Sequence, residues 1–384
     1  EKTMKLKIQF LAATASFALM AGAAWAENIK IGFNVPLTGF AASDGESALN
    51  GAKLAIAAAN ASGGINGDQL ELIVYDDQAS PDQAVPLAQK MIESDQVVVA
   101  VSGSYSGSTR AAAGIFQEAS VPYISAYAIH PDITRAGNYV FRTSFMGEVQ
   151  GRAGAKLVGE VLNLHRAVVI TLQNDFGQSL SAGFKEKAKE FGVEIIGEYQ
   201  YAMPDRQFGP IISKIRADNP DVIYATGYFF TAGPLVAQLR AAGITTQVIG
   251  QEGFDSQSYI DIAGPASEGT IITTSLDRDS SESATKDFIA AYEKETGHKA
   301  DMVAASTNTA VNVVIEALRK AGTTDRAAIR DAIAATDMQA STGHIRFNAL
   351  GEVQKAVQLQ IIKNGEWHSA GVIEDAVLLA PPTE

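Results

Sequence analysis

Apolar and polar positions along the chain switch repeatedly between two spacings, and the switching marks out the elements. Residues 29–35 form a β-branched and aromatic run of strand length. A Gly-rich turn and a helical stretch over 46–61 follow, stopped by Gly63-Gly64. Residues 70–75 read as strand, 81–94 as helix, 97–101 as strand and 110–119 as helix, with further strands at 123–126 and 139–143. A second set opens near Gly147. In it, helices over 151–164, 179–191, 208–217 and 232–242 alternate with strands over 167–172, 193–199, 222–225 and 247–250, and a strand over 270–274 closes the run. This β-α-β-α order predicts α/β architecture, with parallel sheets covered by helices on both faces. Two sets of similar length predict two similar lobes, although no residue-level repeat links them. Helices over 282–296, 304–321 and 325–335 and strands over 344–347 and 357–363 are too few for a third domain and must pack on the first two.

The N-terminal pattern is different. Met4 opens a basic stretch with Lys5 and Lys7, residues 10–24 are an apolar run, and Ala24-Trp25-Ala26 ends it with small residues at the two positions a signal peptidase reads. The run is short for a bilayer span, so residues 1–26 are expected to be a cleaved secretory signal, with the mature chain starting at Glu27. Later apolar runs, such as 97–101, have strand length only. With no cysteine in the chain, there is no disulfide, no thiolate metal site and no lipoprotein anchor, and stability must come from the core. About 358 mature residues suffice for two domains. Without Glu1, Lys2, Lys5 and Lys7, the 30 basic and 43 acidic residues fall to 27 and 42, a net charge near −15. Such a surface repels phosphate backbones, so nucleic acid is excluded as an expected partner.

Enzyme signatures are missing. The chain carries no G-x-x-x-x-G-K-[ST] loop, no G-x-G-x-x-G after a strand, no G-x-S-x-G elbow and no H-E-x-x-H. Its five histidines are scattered, and Asp76-Asp77 lacks the spacing of a calcium loop, which leaves a solvated strand end as the simpler reading. No cofactor and no metal are implied.

What remains is binding chemistry. Ligands of doubly wound sheets sit beyond the carboxyl ends of the strands. There the first set places Pro36-Leu37-Thr38-Gly39 running on to Asp44-Gly45, and the stretch Gly103-Ser104-Tyr105-Ser106-Gly107-Ser108-Thr109. Both precede helices, whose starts offer unpaired N–H groups to an anion; the same hydroxyls could equally cap the helices. The second set places Asp175-Phe176-Gly177, Thr226-Gly227-Tyr228 and Gln251-Glu252-Gly253 at its strand ends. Glu252 among glycines is a carboxylate placed to take an ammonium, or else a surface acid.

With these residues the chain resembles the periplasmic binding proteins of the branched-chain amino acid type, the leucine/isoleucine/valine receptors of ABC importers. The marks are Val35-Pro36-Leu37-Thr38-Gly39, Asn60 to Gly67, Tyr75-Asp76-Asp77, Gly103 to Pro131, Asn174 to Gly177, Ala225 to Tyr228 and Gly250 to Gly253. Each is loose, but their order and spacing cover nearly the whole mature chain. The resemblance implies the type I fold of that family, two doubly wound parallel-sheet lobes joined by three hinge crossings, near 145–147, 275–276 and 351–353. Lobe 1 would hold 27–145 plus 276–352, and lobe 2 would hold 146–275 plus 353–384. It implies a non-catalytic, monomeric periplasmic receptor that hands a small solute to a membrane permease, or a sensory protein of the same fold. It also implies roles. Ser106 would hold a ligand carboxylate through its hydroxyl and N–H, Tyr127 and Ile129 would offer backbone groups to the α-carboxylate and α-ammonium, Tyr228 would stand on the carboxylate side, Glu252 would take the ammonium, and Phe176 and Asp44 would line the cleft. Three of these positions depart from the family pattern. Ile129 stands where a threonine is usual, Tyr127 replaces a small residue, and Asp44 occupies a position usually aromatic. An amino acid is the favoured ligand because of Glu252, with aromatic acids, amides and urea-like solutes as the alternative.

Overall fold

The computed structural model describes residues 28–383, so the expected signal segment lies outside the described residues. The first sheet is built from β1 (Ile29–Val35), β2 (Leu70–Asp76), β3 (Val99–Ser102), β4 (Tyr123–Ser125) and β5 (Val140–Arg142), all parallel, in the order β2-β1-β3-β4-β5. Helices α1 (Ala42–Ala61), α2 (Pro81–Glu93) and α3 (Ser106–Glu118) connect them. After α4 (Gly147–Lys156) the plan repeats. Strands β6 (Arg166–Leu172), β7 (Glu194–Tyr201), β8 (Val222–Ala225), β9 (Gln247–Gly250) and β10 (Ile271–Thr274) pair in parallel, with α5 (Asp175–Ala188), α6 (Gly209–Asp218), α7 (Phe229–Ala241) and α8 (Gln257–Ala263) between them. Their order, β7-β6-β8-β9-β10, is the order of the first sheet restated. The repeat that no residue-by-residue match reveals is therefore topological.

The remaining chain divides between the two sheets. Helices α9 (Ser283–Thr296) and α10 (Met302–Ala321) pack against α1, and α11 (Arg326–Ala334) packs on α10. A short hairpin of β11 (Asp337–Ala340) and β12 (Gly343–Arg346) follows. Then β13 (Val357–Lys363) and β14 (Glu366–Ile373) extend the second sheet beyond β10, both antiparallel, so that sheet is mixed rather than purely parallel. The chain passes between the sheets at three places, after β5, after β10 and after β12.

Strand alternation explains the layers. In β8, Ile223 and Ala225 face one apolar cluster with α7, while Val222 and Tyr224 face another with α4 and α5. In the first sheet, Val99 and Val101 join the α1 and α10 side, and Ala100 joins Met91 of α2 and Phe116 of α3 on the other. Strands buried on both faces need helices on both faces, which is the doubly wound arrangement. Among the described residues no helix is long and apolar enough to cross a membrane.

Candidate functional site

In each sheet the order reverses direction after its first strand, between β1 and β3 and again between β6 and β8, and a crevice opens there at the carboxyl ends. The two crevices face each other. Into them come the turn after β1, which leads to Asp44, and the turn after β3, which leads to Ser106. From the second sheet come the turns after β6, β8 and β9, carrying Phe176, Tyr228 and Glu252.

The acids at the end of β2 brace this end of the first sheet. Asp76 accepts from the Leu37 N–H at 2.9 Å and from the Thr38 hydroxyl at 2.5 Å, fixing the first turn. Asp77 is fully buried, not solvated as the sequence reading had it: it accepts from Asn34 Nδ2 at 2.8 Å, Ser104 Oγ at 2.9 Å and the Ala79 N–H at 3.0 Å. Asn34 in turn accepts from the Tyr123 hydroxyl at 2.9 Å. Among the described residues no cluster of three or more His, Cys, Asp or Glu side chains is arranged to hold a metal ion. Glycine completes the close approach. A Cβ at Gly45 would lie 1.9 Å from the Pro36 carbonyl oxygen, and one at Gly253 would lie 2.2 Å from that of Gly227.

Between the sheets lies a cavity of about 20 Å³, lined from the first by Asp44, Tyr105, Ser106, Tyr127 and Ala128, from the second by Phe176, Tyr228, Glu252 and Gly253, and from the start of α10 by Met302 and Val303. That is room for about one water molecule. Aromatic rings account for the tightness. Tyr105 stacks on Tyr228 with centroids 4.2 Å apart, and Tyr228 stacks on Phe176 at 4.6 Å. Nearer solvent, Phe40 meets Phe230 at 5.3 Å, Arg110 pairs with Asp175 at 2.8 Å, and the Ser43 and Ser258 hydroxyls lie 3.2 Å apart. A solute larger than water enters only if the two sheets move apart.

Polar groups in the cavity have distinct environments. Ser106 occupies the first turn of α3, where the N–H groups ahead of Thr109 have no intrahelical carbonyl. The helix has no side-chain cap, so the hydroxyls of this turn are not spent on capping. Ser106 Oγ accepts from the Ile129 N–H at 3.2 Å. Glu252 is buried, and neither carboxylate oxygen has a hydrogen-bond partner. Burial pushes its carboxyl up to about 8, an effect that nearby Lys355 partly offsets. Lys355, in the last passage between sheets, is buried as well and is pushed down to about 7 by desolvation. Its Nζ donates to the Thr342 carbonyl at 3.2 Å and sits 5.0 Å above the Phe145 ring. Asp44 accepts from the Tyr105 hydroxyl at 2.7 Å, and burial raises its carboxyl to about 7.

The structure thus brings Asp44, Ser106, Tyr127, Phe176, Tyr228 and Glu252 to one cavity. The Ile129 side chain is not part of the lining; that residue meets the site through its N–H on Ser106. Tyr127 turns its phenol back onto the Gly103 carbonyl at 2.6 Å. Four residues escaped the sequence reading: Met302 and Val303, brought to the cavity by the start of α10, and Tyr105 and Lys355. Tyr105 was within reach, being the aromatic between Ser104 and Ser106 in a stretch already marked. Lys355 had no signal, since nothing around it in the chain predicts a buried cation.

The periplasmic binding protein family matches residues 28–366. A leucine-, isoleucine-, valine-, threonine- and alanine-binding protein of Pseudomonas aeruginosa is 30% identical over 92% of this chain and 94% of its own. Among solved structures, the substrate-binding protein of a branched-chain amino acid transporter from Streptococcus pneumoniae, in complex with isoleucine, is 27% identical. It superposes with a TM-score of 0.86 over 90% of this chain and 99% of its own. A solute-binding protein of an ABC transporter from Rhodopseudomonas palustris, in complex with 3,4-dihydroxybenzoic acid, is 25% identical, with a TM-score of 0.83 over 91% and 98% of the two chains.

Proposed function

The chain belongs to the periplasmic binding protein family, and from that membership we propose that it is the solute receptor of an ABC importer, closing two lobes around an amino acid. It is a solute-binding protein and not an enzyme. The observation that carries the amino acid reading is Glu252. A carboxylate buried with both oxygens unpartnered is costly unless a cation or donor reaches it. Across the same cavity Ser106 offers a hydroxyl and a helix start to an anion. A ligand carrying one positive and one negative group, as an α-amino acid does, would meet both of these residues in one cavity.

In this reading residues 27–145 with 276–352 move as one lobe against 146–275 with 353–384, by hinge closure at the three passages. The receptor works in the periplasm after residues 1–26 are removed, as a monomer that delivers its solute to a membrane permease. The relative named for binding leucine, isoleucine, valine, threonine and alanine and the one solved with isoleucine support the amino acid class, and the one solved with 3,4-dihydroxybenzoic acid supplies the rival. A thermal-shift screen of amino acids, benzoates, amides and ureas decides between them. A ligand at 100 times its dissociation constant stabilises the protein by about 2.7 kcal/mol. A shift with an amino acid that disappears in Glu252→Gln supports the reading; a shift with benzoates alone overturns it.

A further inference from the structure

We infer that Asp44 sets the side-chain specificity of this cavity, selecting amino acids whose side chains end in a nitrogen donor, amide or cation, over leucine, isoleucine and valine. The inference rests on the amino acid reading above and names its substrate class.

The cavity contains two carboxylates, one from each sheet, and no Lys, Arg or His among its lining residues. Glu252 has no hydrogen-bond partner for either oxygen, so one ligand donor group is already committed to it. Asp44 comes from the opposite side, in the first turn of α1, and is 6% exposed. Its Oδ2 takes the Tyr105 hydroxyl, and among the described residues Asp44 has no ion pair. The charges around it do not compensate. Asp301 and Asp255 both act on it with like sign, and Arg278, a cation that acts on Asp301, is paired with Asp255. The local field therefore favours a positive or donor group.

The rest of this end of the cavity fits such a side chain. Met302, Val303 and Phe176 offer apolar surface to a methylene stem whose polar tip reaches Asp44. A branched aliphatic side chain would instead cover a desolvated carboxyl and add no donor to the Tyr105 hydroxyl it already has. Sites that hydrogen-bond a substrate group discriminate strongly against the analogue that lacks it, whereas apolar pockets discriminate weakly. Burial, which raises the Asp44 carboxyl to about 7, is consistent with an acid that accepts either a neutral amide or a cation.

The test is calorimetric titration of the wild type, Asp44→Asn and Asp44→Leu with leucine, glutamine and arginine. The wild type should bind glutamine or arginine at least tenfold more tightly than leucine, and Asp44→Leu should invert that order. Of the two donors, the tighter one in the wild type identifies whether an amide or a cation is the ligand tip, and Asp44→Asn should weaken arginine more than glutamine. Should Asp44→Leu fail to fold, the same ranking in the wild type and Asp44→Asn still decides. A wild type that prefers leucine, or a ranking unchanged in both variants, overturns the inference while leaving the amino acid reading intact. A wild type that binds none of the three but binds benzoate removes that reading instead.

Discussion

Tyr105 and Tyr228 stack across the gap between the two sheets, their ring planes 1° apart. Each comes from the strand end beside its sheet's switch point, and the two burials are completed only when the sheets meet. Such a pair stabilises the closed arrangement by about 0.5–1.5 kcal/mol beyond the apolar area it covers. Tyr228→Ala should therefore shift the ligand-free protein toward an open form. Small-angle scattering would register this as a larger radius of gyration than the wild type, with the difference shrinking on ligand addition. Identical curves for the two ligand-free proteins would mean that the stack does not govern closure.

The pH response follows from Glu252. Its carboxyl, raised from 4.5 to about 8, keeps its proton in the folded protein where the unfolded chain has released it. Stability of the ligand-free protein should consequently fall as pH rises through that window, by at most about 1.4 kcal/mol per unit. Asp44 adds the same sign up to about 7. Lys355 has the opposite sign: with its pKa lowered from 10.5 to about 7, it restores stability from about pH 7 upward. A ligand ammonium needs the charged carboxylate, so affinity should rise toward pH 8, by up to about tenfold per unit, with release of a proton. Glu252→Gln should flatten the affinity profile and remove from the stability profile only the share of Glu252, leaving the opposed slopes of Asp44 and Lys355. Titration calorimetry in buffers of different ionisation enthalpy measures the proton directly.

The element types were legible in the sequence because periodicity reports burial, but the starts of the helices at the cleft were not. Helix α1 begins at Ala42 where the pattern predicts 46, α3 at Ser106 rather than 110, α5 at Asp175 rather than 179 and α7 at Phe229 rather than 232. Their first turns are rich in Gly, Ser, Asp and aromatic residues, which are poor helix formers and read as loop. Tertiary contact holds them helical; at Gly45 the packing is close enough that a Cβ would lie 1.9 Å from the Pro36 carbonyl oxygen. Strand β14 is different, because its hairpin turn, Asn364-Gly365, carried a usable signal: both residues have positive φ, as a two-residue primed turn requires. Of the site itself, the sequence located the strand-end groups. It could not show that Asp77 is a buried brace or that a buried Lys355 acts on Glu252, since both depend on which loops meet.

Arg142 and Glu352 form a buried ion pair. They are buried at 0% and 2% exposure, one at the end of β5 and the other between β12 and β13, and are joined by Nε to Oε2 at 3.0 Å. Arg142 Nη1 also donates to the His130 carbonyl at 2.9 Å, so the pair anchors the segment that carries Tyr127. Removing one partner leaves a buried charge uncompensated, and Arg142→Met should cost about 3–5 kcal/mol in urea unfolding. Arg142→Met combined with Glu352→Leu should recover part of that loss. A single variant within about 1 kcal/mol of the wild type would show the pair to be solvated.

Ser106 and Arg110 sit one turn apart on α3 and predict opposite outcomes. Arg110 pairs with Asp175 across the gap, but its side chain is 46% exposed, so Arg110→Ala should change ligand affinity less than about fivefold, and the effect should fade as salt is raised. The Ser106 hydroxyl is buried and holds the Ile129 N–H. If Ser106 holds the ligand as proposed, Ser106→Ala removes that partner and strands the N–H at once, a loss of about 1–2 kcal/mol, equivalent to about 5–30-fold in affinity. Because the group is buried, its effect should persist at 0.5 M salt, about five times the ionic strength at which the Debye length is about 10 Å. Titrations of both variants at low and high salt separate a closing contact at the rim from a ligand contact inside, and equal salt sensitivity in the two would remove Ser106 from the cavity floor.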